Sequence, residues 1–66
     1  MNDLENRKLM YSKRMIGQTV WAKVDEDSNW EPAFIEDVDS WDTFLCRVQG
    51  EDQKVRVNIF DIRSMN

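Results

Sequence analysis

The sequence contains no histidine and a single cysteine, Cys46, and these two absences exclude several kinds of chemistry. Structural zinc sites take cysteine and histidine ligands, and catalytic triads or cysteine–histidine pairs need an imidazole. A lone thiol cannot form a disulfide within the chain, which suits a reducing, intracellular environment. We therefore expect Cys46 to be a small apolar residue on a strand, and we predict no metal and no other cofactor.

Long apolar runs are absent as well. No stretch approaches the roughly 18 apolar residues of a transmembrane helix, and the charged residues 1–14 lack the apolar core of a signal peptide. We expect an intracellular protein, in the cytoplasm or nucleus, that is not secreted and has no membrane partner. Its 66 residues suffice for a small single domain. A domain of this size buries only about 60 % of the surface of its unfolded chain, so its stability margin is narrow.

Glycine and proline are scarce, yet polar clusters divide residues 17–63 into four runs that are rich in β-branched and aromatic residues. Such runs predict β-strands, here over residues 18–24, 30–38, 43–48 and 54–58. The spacing of Ile59 and Ile62 predicts one turn of 3₁₀-helix, and residues 63–66 predict a short closing strand. Short strands in this number predict a mostly β fold, a small curled sheet or barrel.

Residues 1–14 are expected to form an N-terminal arm or short helix, separate from the β unit of residues 15–66. Asn2 or Asp3 is a candidate N-cap, but the apolar stripe is weak and about 11 residues is marginal for an isolated helix. Two outcomes stay open, a short helix that packs on the β unit and a frayed arm. The segment is basic, with Arg7, Lys8, Lys13 and Arg14.

The net charge of −4 is unevenly distributed. Between residues 24 and 46 the chain carries acids and no base: Asp25, Glu26, Asp27, Glu31, Glu36, Asp37, Asp39 and Asp42. Such a region attracts arginine or lysine on a partner and repels phosphate backbones. The alternative is a solvated acidic surface that only keeps a small protein soluble.

A series of fold-determining positions runs through residues 17–65: Gly17, Ala22, Pro32-Ala33-x-Ile35, Gly50 and Asn58-Ile59-x-Asp61-Ile62. In their order and spacing they resemble the Tudor domain, whose relatives include the chromodomain, PWWP and Agenet domains. The resemblance implies a small SH3-like (Tudor-like) five-stranded barrel, here with a short N-terminal helix or arm.

The resemblance also raises the question of methylated ligands, because Tudor domains read methylated arginine or lysine with a cage of aromatic side chains. The corresponding positions here are Val24, Glu31, Val48 and Glu51, and none of them is aromatic. The cage does not carry over, although two acids at these positions would bind an unmodified arginine or lysine. A register shift of one residue would bring Trp30 into the cage.

Three tryptophans are many for so short a chain. We expect Trp21 and Trp30 to cover the outside of the barrel and to pack against the N-terminal segment. Trp41 lies in the polar turn 39–42, where it either folds back as a lid or is exposed for contact. Exposure is the outcome that we expect.

The leading functional hypothesis is a non-catalytic protein-binding module or small regulator that grips a basic partner, which is a protein with a basic surface or an Arg/Lys-rich tail. Aromatic anchors within a charged rim are a common interface pattern. The predicted partner-binding residues are Asp25, Glu26, Asp27, Trp30, Glu31, Trp41, Asp42 and Glu51. The protein is expected to be a monomer or weak homodimer. One variant is a viral acidic inhibitor that presents carboxylates to the nucleic-acid site of a host protein.

The alternative hypothesis is a nucleic-acid-associated SH3-like module, which would need a basic face. Its candidate residues are Arg7, Lys8, Lys13, Arg14, Lys54 and Arg56. The chain is not predicted to be an enzyme, because the sequence has neither a spaced metal-binding motif nor a glycine-rich phosphate loop.

Overall fold

A computed structural model describes residues 3–65, which form a curled antiparallel sheet with one N-terminal helix. The elements are helix α1 (Asp3–Lys13), strands β1 (Thr19–Ala22), β2 (Glu31–Ser40), β3 (Thr43–Val48) and β4 (Lys54–Asn58), a 3₁₀ turn (Ile59–Asp61), and strand β5 (Ile62–Arg63). The mostly β fold is confirmed, and the predicted bounds of β3 and β4 coincide with the observed ones. Of the two candidate caps of α1, Asn2 lies outside the described residues.

The strand order in the sheet is β4-β3-β2-β1-β5, and neighbouring strands are antiparallel. The pairing of β2 with β3 shifts register at two places along β2, once between Ile35 and Asp37 and once between Val38 and Ser40. Such bulges bend a strand and increase its twist. Strands β4 and β5 are the two edges and do not pair with each other, so the sheet is an open half-barrel. The predicted five-stranded barrel is therefore confirmed only in part: five strands form a curled sheet, but the sheet stays open because the two residues of β5 pair only with β1.

Alternate residues of β1 to β4 form the core on the inner face of the curled sheet. Val20 and Ala22 on β1 and Ala33 and Ile35 on β2 are buried, as the two-residue period predicts. Val38, which was expected to join them through a bulge, is half-buried against this core. The core residues are Val20, Ala22, Ala33, Ile35, Phe44, Cys46, Val48 and Val57.

Cys46 is fully buried in this core, which confirms its predicted place as an apolar strand residue. Burial raises the pKa of its thiol to about 11, because the thiolate would lose its hydration among apolar neighbours. The reactive form of the side chain is therefore scarce at neutral pH.

Helix α1 packs against the turn between β2 and β3, which settles the choice between a packed helix and a frayed arm. Ser12 is its buried residue, and the Ser12 hydroxyl donates a hydrogen bond to the backbone carbonyl of Trp41. After the helix the chain turns at Gly17, whose φ of +92° favours glycine, and the Gly17 N–H donates to the carbonyl of Ile35 at 2.8 Å. Across residues 3–65 no helix has the length and apolar character needed to cross a membrane.

Candidate functional site

The residues predicted to bind a partner separate into two groups at opposite ends of β2. Glu31 is the first residue of β2, whereas Trp41 and Asp42 follow its last residue, Ser40. Ten residues of strand cover about 30 Å at roughly 3.3 Å per residue. The two groups therefore cannot hold the same small ligand, and the single site expected from the sequence is divided.

The first group is called the acidic end, and it comprises Asp25, Glu26, Asp27, Trp30, Glu31 and Glu51. Residues 23–30 connect β1 to β2 and bring the first four members to the start of β2. Glu51 joins them because the start of β2 pairs with the end of β3, where Ala33 lies opposite Val48. The N–H of Gln49 donates to the carbonyl of Pro32 at 3.1 Å and continues this pairing into the next loop.

The loop of the acidic end is held by its own short-range hydrogen bonds. The Ser28 hydroxyl oxygen accepts from the N–H groups of Val24 and Asp25, both at 3.1 Å, and its O–H donates to the carbonyl of Asp25. The Asp25 carboxylate accepts from the N–H of Asp27 at 2.9 Å. Asp25, Glu26 and Asp27 are all exposed. Bonds of this kind stabilise a tight turn while they leave the carboxylates directed into solvent.

Two indoles and one guanidinium form a groove beside this loop. Trp21, Trp30 and Arg63 line the groove, and Arg63 is the cross-strand neighbour of Trp21 in the β1–β5 pair. The guanidinium carbon of Arg63 lies 4.4 Å from the centre of the Trp30 ring, which is a cation–π contact. The indoles lie on the outside of the sheet as expected, and Arg63 of β5 lies against them.

The second group lies beneath α1, and here the expectation that Trp41 is exposed is wrong. Trp41 is half-buried, and the Lys8 ammonium lies 4.3 Å from the centre of its ring. Lys8, Tyr11, Ser12, Met15 and Ile59 surround the indole. The helix covers the turn, so Trp41 serves packing between α1 and the sheet.

Asp42 is likewise engaged within the fold. Its carboxylate accepts hydrogen bonds from the hydroxyls of Ser40 at 2.7 Å and Thr43 at 3.2 Å. Its backbone carbonyl accepts from the N–H of Ile59 at 2.8 Å, which connects the β2–β3 turn to the 3₁₀ turn. This carboxylate stabilises the turn and is only partly accessible.

The positions that correspond to an aromatic cage do not form one. Val48 is buried in the core with 3 % exposure, whereas Val24, Glu31 and Glu51 are exposed. Trp30 precedes β2, and Glu31 is paired with Ala22, so the register shift that would place Trp30 at a cage position is not present.

The basic residues of the sheet are paired with acids of β2. Lys54 contacts the Glu36 carboxylate at 3.3 Å, and Arg56 contacts Asp39 at 3.6 Å. Arg47, which the sequence analysis did not single out, donates to both oxygens of Glu36 at 2.7 and 3.3 Å. The hydrogen bond from Arg47, with a smaller contribution from Lys54, lowers the pKa of Glu36, although partial desolvation opposes the shift. Lys54 and Arg56 therefore lie in a mixed-charge row and not on a basic face.

The remaining basic candidates, Arg7, Lys8, Lys13 and Arg14, lie on or directly after α1. Within the part of the chain that the structure describes, no group of three cysteine, aspartate or glutamate side chains converges to hold a metal ion.

Two residues of the groove were missed as site residues. The alternation along β1 indicates that Trp21 faces outward, so this signal was present in the sequence. Arg63 gave no local signal, because its position over Trp30 depends on the pairing of β5 with β1.

Comparisons of the chain with protein-family models, with curated proteins and with solved structures found no match.

Proposed function

We propose that this chain is a non-catalytic binding module that holds an arginine- or lysine-rich segment of a partner protein at its acidic end. The architecture that we propose for it is a Tudor-like member of the SH3-like barrels. Five antiparallel strands in a curled sheet, with a 3₁₀ turn before the last short strand, support this assignment.

The observation that carries the proposal is the contact of Arg63 with Trp30. The surface holds a guanidinium on an indole at 4.4 Å, directly beside a loop with three exposed carboxylates. A cationic side chain of a partner would meet the same negative rim, and it would gain the aromatic face by displacing Arg63 from Trp30. Aromatic anchors bordered by charges are typical of the energetically dominant part of protein interfaces.

The same geometry disfavours two other ligands. Exposed carboxylates at the acidic end repel the phosphates of nucleic acid, and the sheet cations Lys54 and Arg56 are already paired with carboxylates. Methylated side chains need an enclosing set of aromatic rings, whereas the corresponding positions carry two valines and two glutamates. We therefore propose recognition of positive charge without selection for methylation.

The test is a binding titration with a fluorescein-labelled peptide of alternating arginine and glycine, followed by fluorescence polarisation. The double variant E26Q/D27N removes two carboxylates from the acidic end, and neither side chain accepts one of the hydrogen bonds that hold the loop. We expect its affinity to fall about fivefold and its salt dependence to flatten, since each exposed charge contributes about 0.5 kcal/mol.

The matched control is D3N/E5Q, which removes two exposed carboxylates from the first turn of α1, the helix that packs at the opposite end of β2. Its affinity should stay within about twofold of the unmodified chain, because these carboxylates are not part of the acidic end and salt screens charges that act from a distance. Equal losses in the two doubles, or no binding by the unmodified chain, would contradict the proposal.

A further inference from the structure

Helix α1 presents a second surface on its exposed flank, beside the face that packs on the sheet. Arg7, Met10, Tyr11 and Arg14 follow the spacing i, i+3, i+4 and i+7, which places side chains on one face of a helix. Arg14 belongs to this face because its N–H donates to the carbonyl of Met10 at 3.3 Å, which continues α-helical bonding one residue beyond Lys13. These four residues are called the outer stripe.

The burial pattern of α1 is the reverse of what packing alone would produce. The small polar residue Ser12 is buried, whereas Met10 and Tyr11 are 60 % and 66 % exposed. In a domain with so small a core, two large apolar side chains are thus left in solvent. Exposed apolar surface of this kind, bordered by charges, is a mark of an interaction site.

The outer stripe also forms a shaped and positively charged surface. Its four residues line one shallow concavity of about 390 Å³, and the guanidinium carbon of Arg14 lies 5.1 Å from the centre of the Tyr11 ring. Neither Arg7 nor Arg14 takes part in the ion pairs found within residues 3–65. Asp3 lies one turn before Arg7, and the two arginines leave the stripe with a positive balance.

We propose that the outer stripe binds an acidic amphipathic segment of a partner protein. Apolar side chains of that segment would contact Met10 and Tyr11, and its carboxylates would pair with Arg7 and Arg14. Arginine, tyrosine and methionine are the residue types that interfaces favour, and methionine adapts its shape to different partners. The stripe spans two helical turns, or about 10 Å, which suits recognition of one short helix.

A protein segment fits this surface better than nucleic acid does. A nucleic-acid footprint needs a continuous basic face, but Lys54 and Arg56 are paired with carboxylates of β2, and the chain as a whole carries −4. The exposed methionine and tyrosine would find apolar partners on a peptide. This surface is separate from the acidic end, so the inference goes beyond the proposed function and stands without it.

The test uses a labelled synthetic peptide of about 18 residues, with glutamate and leucine at helical spacing, and the full chain at about 50 mM salt. Fluorescence polarisation compares R7Q/R14Q and M10S/Y11S with two controls. K54Q/R56Q removes an equal number of positive charges, two, from β4. F60S removes an aromatic side chain that is 84 % exposed. Circular dichroism of each variant shows that the fold is retained.

We expect R7Q/R14Q and M10S/Y11S each to weaken binding by about tenfold, with both controls within about twofold of the unmodified chain. A failure of the unmodified chain to bind the peptide at about 500 μM, or equal losses in R7Q/R14Q and K54Q/R56Q, would overturn the inference.

Two further outcomes would assign the stripe to a different occupant and so overturn the proposal. One is tighter binding of a single-stranded oligonucleotide of about 20 nucleotides that R7Q/R14Q abolishes, which would indicate a nucleic-acid interface. The other is self-association in sedimentation of the protein alone that R7Q/R14Q removes, which would indicate a second copy of the chain.

Discussion

Two tryptophan–acid pairs, Trp30-Glu31 and Trp41-Asp42, stand at the two ends of β2 and have opposite roles. At the acidic end, Glu31 is exposed and the half-buried Trp30 holds the guanidinium of Arg63 in a surface groove. At the other end, Trp41 lies under α1 and the Asp42 carboxylate accepts two hydroxyl hydrogen bonds. The same local chemistry stabilises the fold at one end, where α1 covers it, and at the other end it forms the surface that we propose for binding.

The connections at the two ends reinforce this difference. Residues 23–30 form a loop that is closed by its own hydrogen bonds through Ser28, so it needs no neighbour. The β2–β3 turn contains only Trp41 and Asp42, between the paired residues Ser40 and Thr43. So short a turn fixes the direction of its side chains, and α1 packs where the indole projects.

The largest expected effect separates the two tryptophans by stability. W41A should lower the free energy of unfolding by about 2 kcal/mol, less than for a fully buried indole because Trp41 is half-buried, and should reduce the helical signal. W30A removes an indole that is half-buried as well but that no helix covers, so it should cost less, about 1 kcal/mol, and it should abolish most binding of the arginine peptide. Urea unfolding and circular dichroism measure both variants, and equal losses of stability would remove the distinction between the ends.

A pair of serine variants makes the same comparison with a smaller effect. S12A removes the hydroxyl that donates to the Trp41 carbonyl in a buried position, and it should cost about 1 kcal/mol. S28A removes a hydroxyl at the acidic end, where water replaces the lost bonds, so it should cost no more than about 0.5 kcal/mol. The midpoints of chemical denaturation of the two variants measure these losses of stability. A larger loss for S28A than for S12A would contradict the view that the Trp41 end of β2 stabilises the fold more than the acidic end does.

The smallest effect concerns the middle of β2, where Glu36 pairs with Arg47 and Lys54. Arg47 and Lys54 lower the pKa of Glu36 below its ordinary value of 4.5. The two ion pairs therefore make their full contribution to stability when the pH is above 4.5. The contribution is lost as the pH falls through the lowered pKa. E36Q should therefore melt about 2 °C below the unmodified chain at pH 7, and the gap should close in stronger acid.

The exposed residue Glu51 provides the control for this pH effect, since it takes part in none of the ion pairs found within residues 3–65. E51Q should melt with the unmodified chain at pH 7. A gap for E36Q that persisted unchanged below the lowered pKa would show that the ion pair is not its cause.

Local sequence signals predicted most of the sheet. Strands β3 and β4 coincide with their predicted bounds, because β3 is nearly all apolar, β4 alternates apolar and polar residues, and clear turn residues flank both. The 3₁₀ turn also lies where the spacing of Ile59 and Ile62 places it. Closure of the barrel was not predictable in this way, because it depends on how far the two residues of β5 extend along β1.

The candidate site was predictable only in part. The exposed acids of the β1–β2 loop follow from composition, since carboxylates in a turn are normally solvated. The burial of Trp41 depends on the path of α1, and the position of Arg63 depends on a strand pair between distant parts of the chain. The residues next to Trp41 and Arg63 in the sequence do not indicate either contact. The prediction therefore placed residues from the two ends of β2 in one site.

Burial of the single thiol makes Cys46 a built-in reporter of unfolding. Iodoacetamide reacts with a thiolate, and this side chain is both inaccessible and held in its protonated form in the native sheet. Alkylation must therefore wait until β3 separates from its neighbours, so the labelling rate in native buffer reports the population of molecules in which the strand is open. Every variant described above retains this thiol, and mass measurements over time rank the variants by that population.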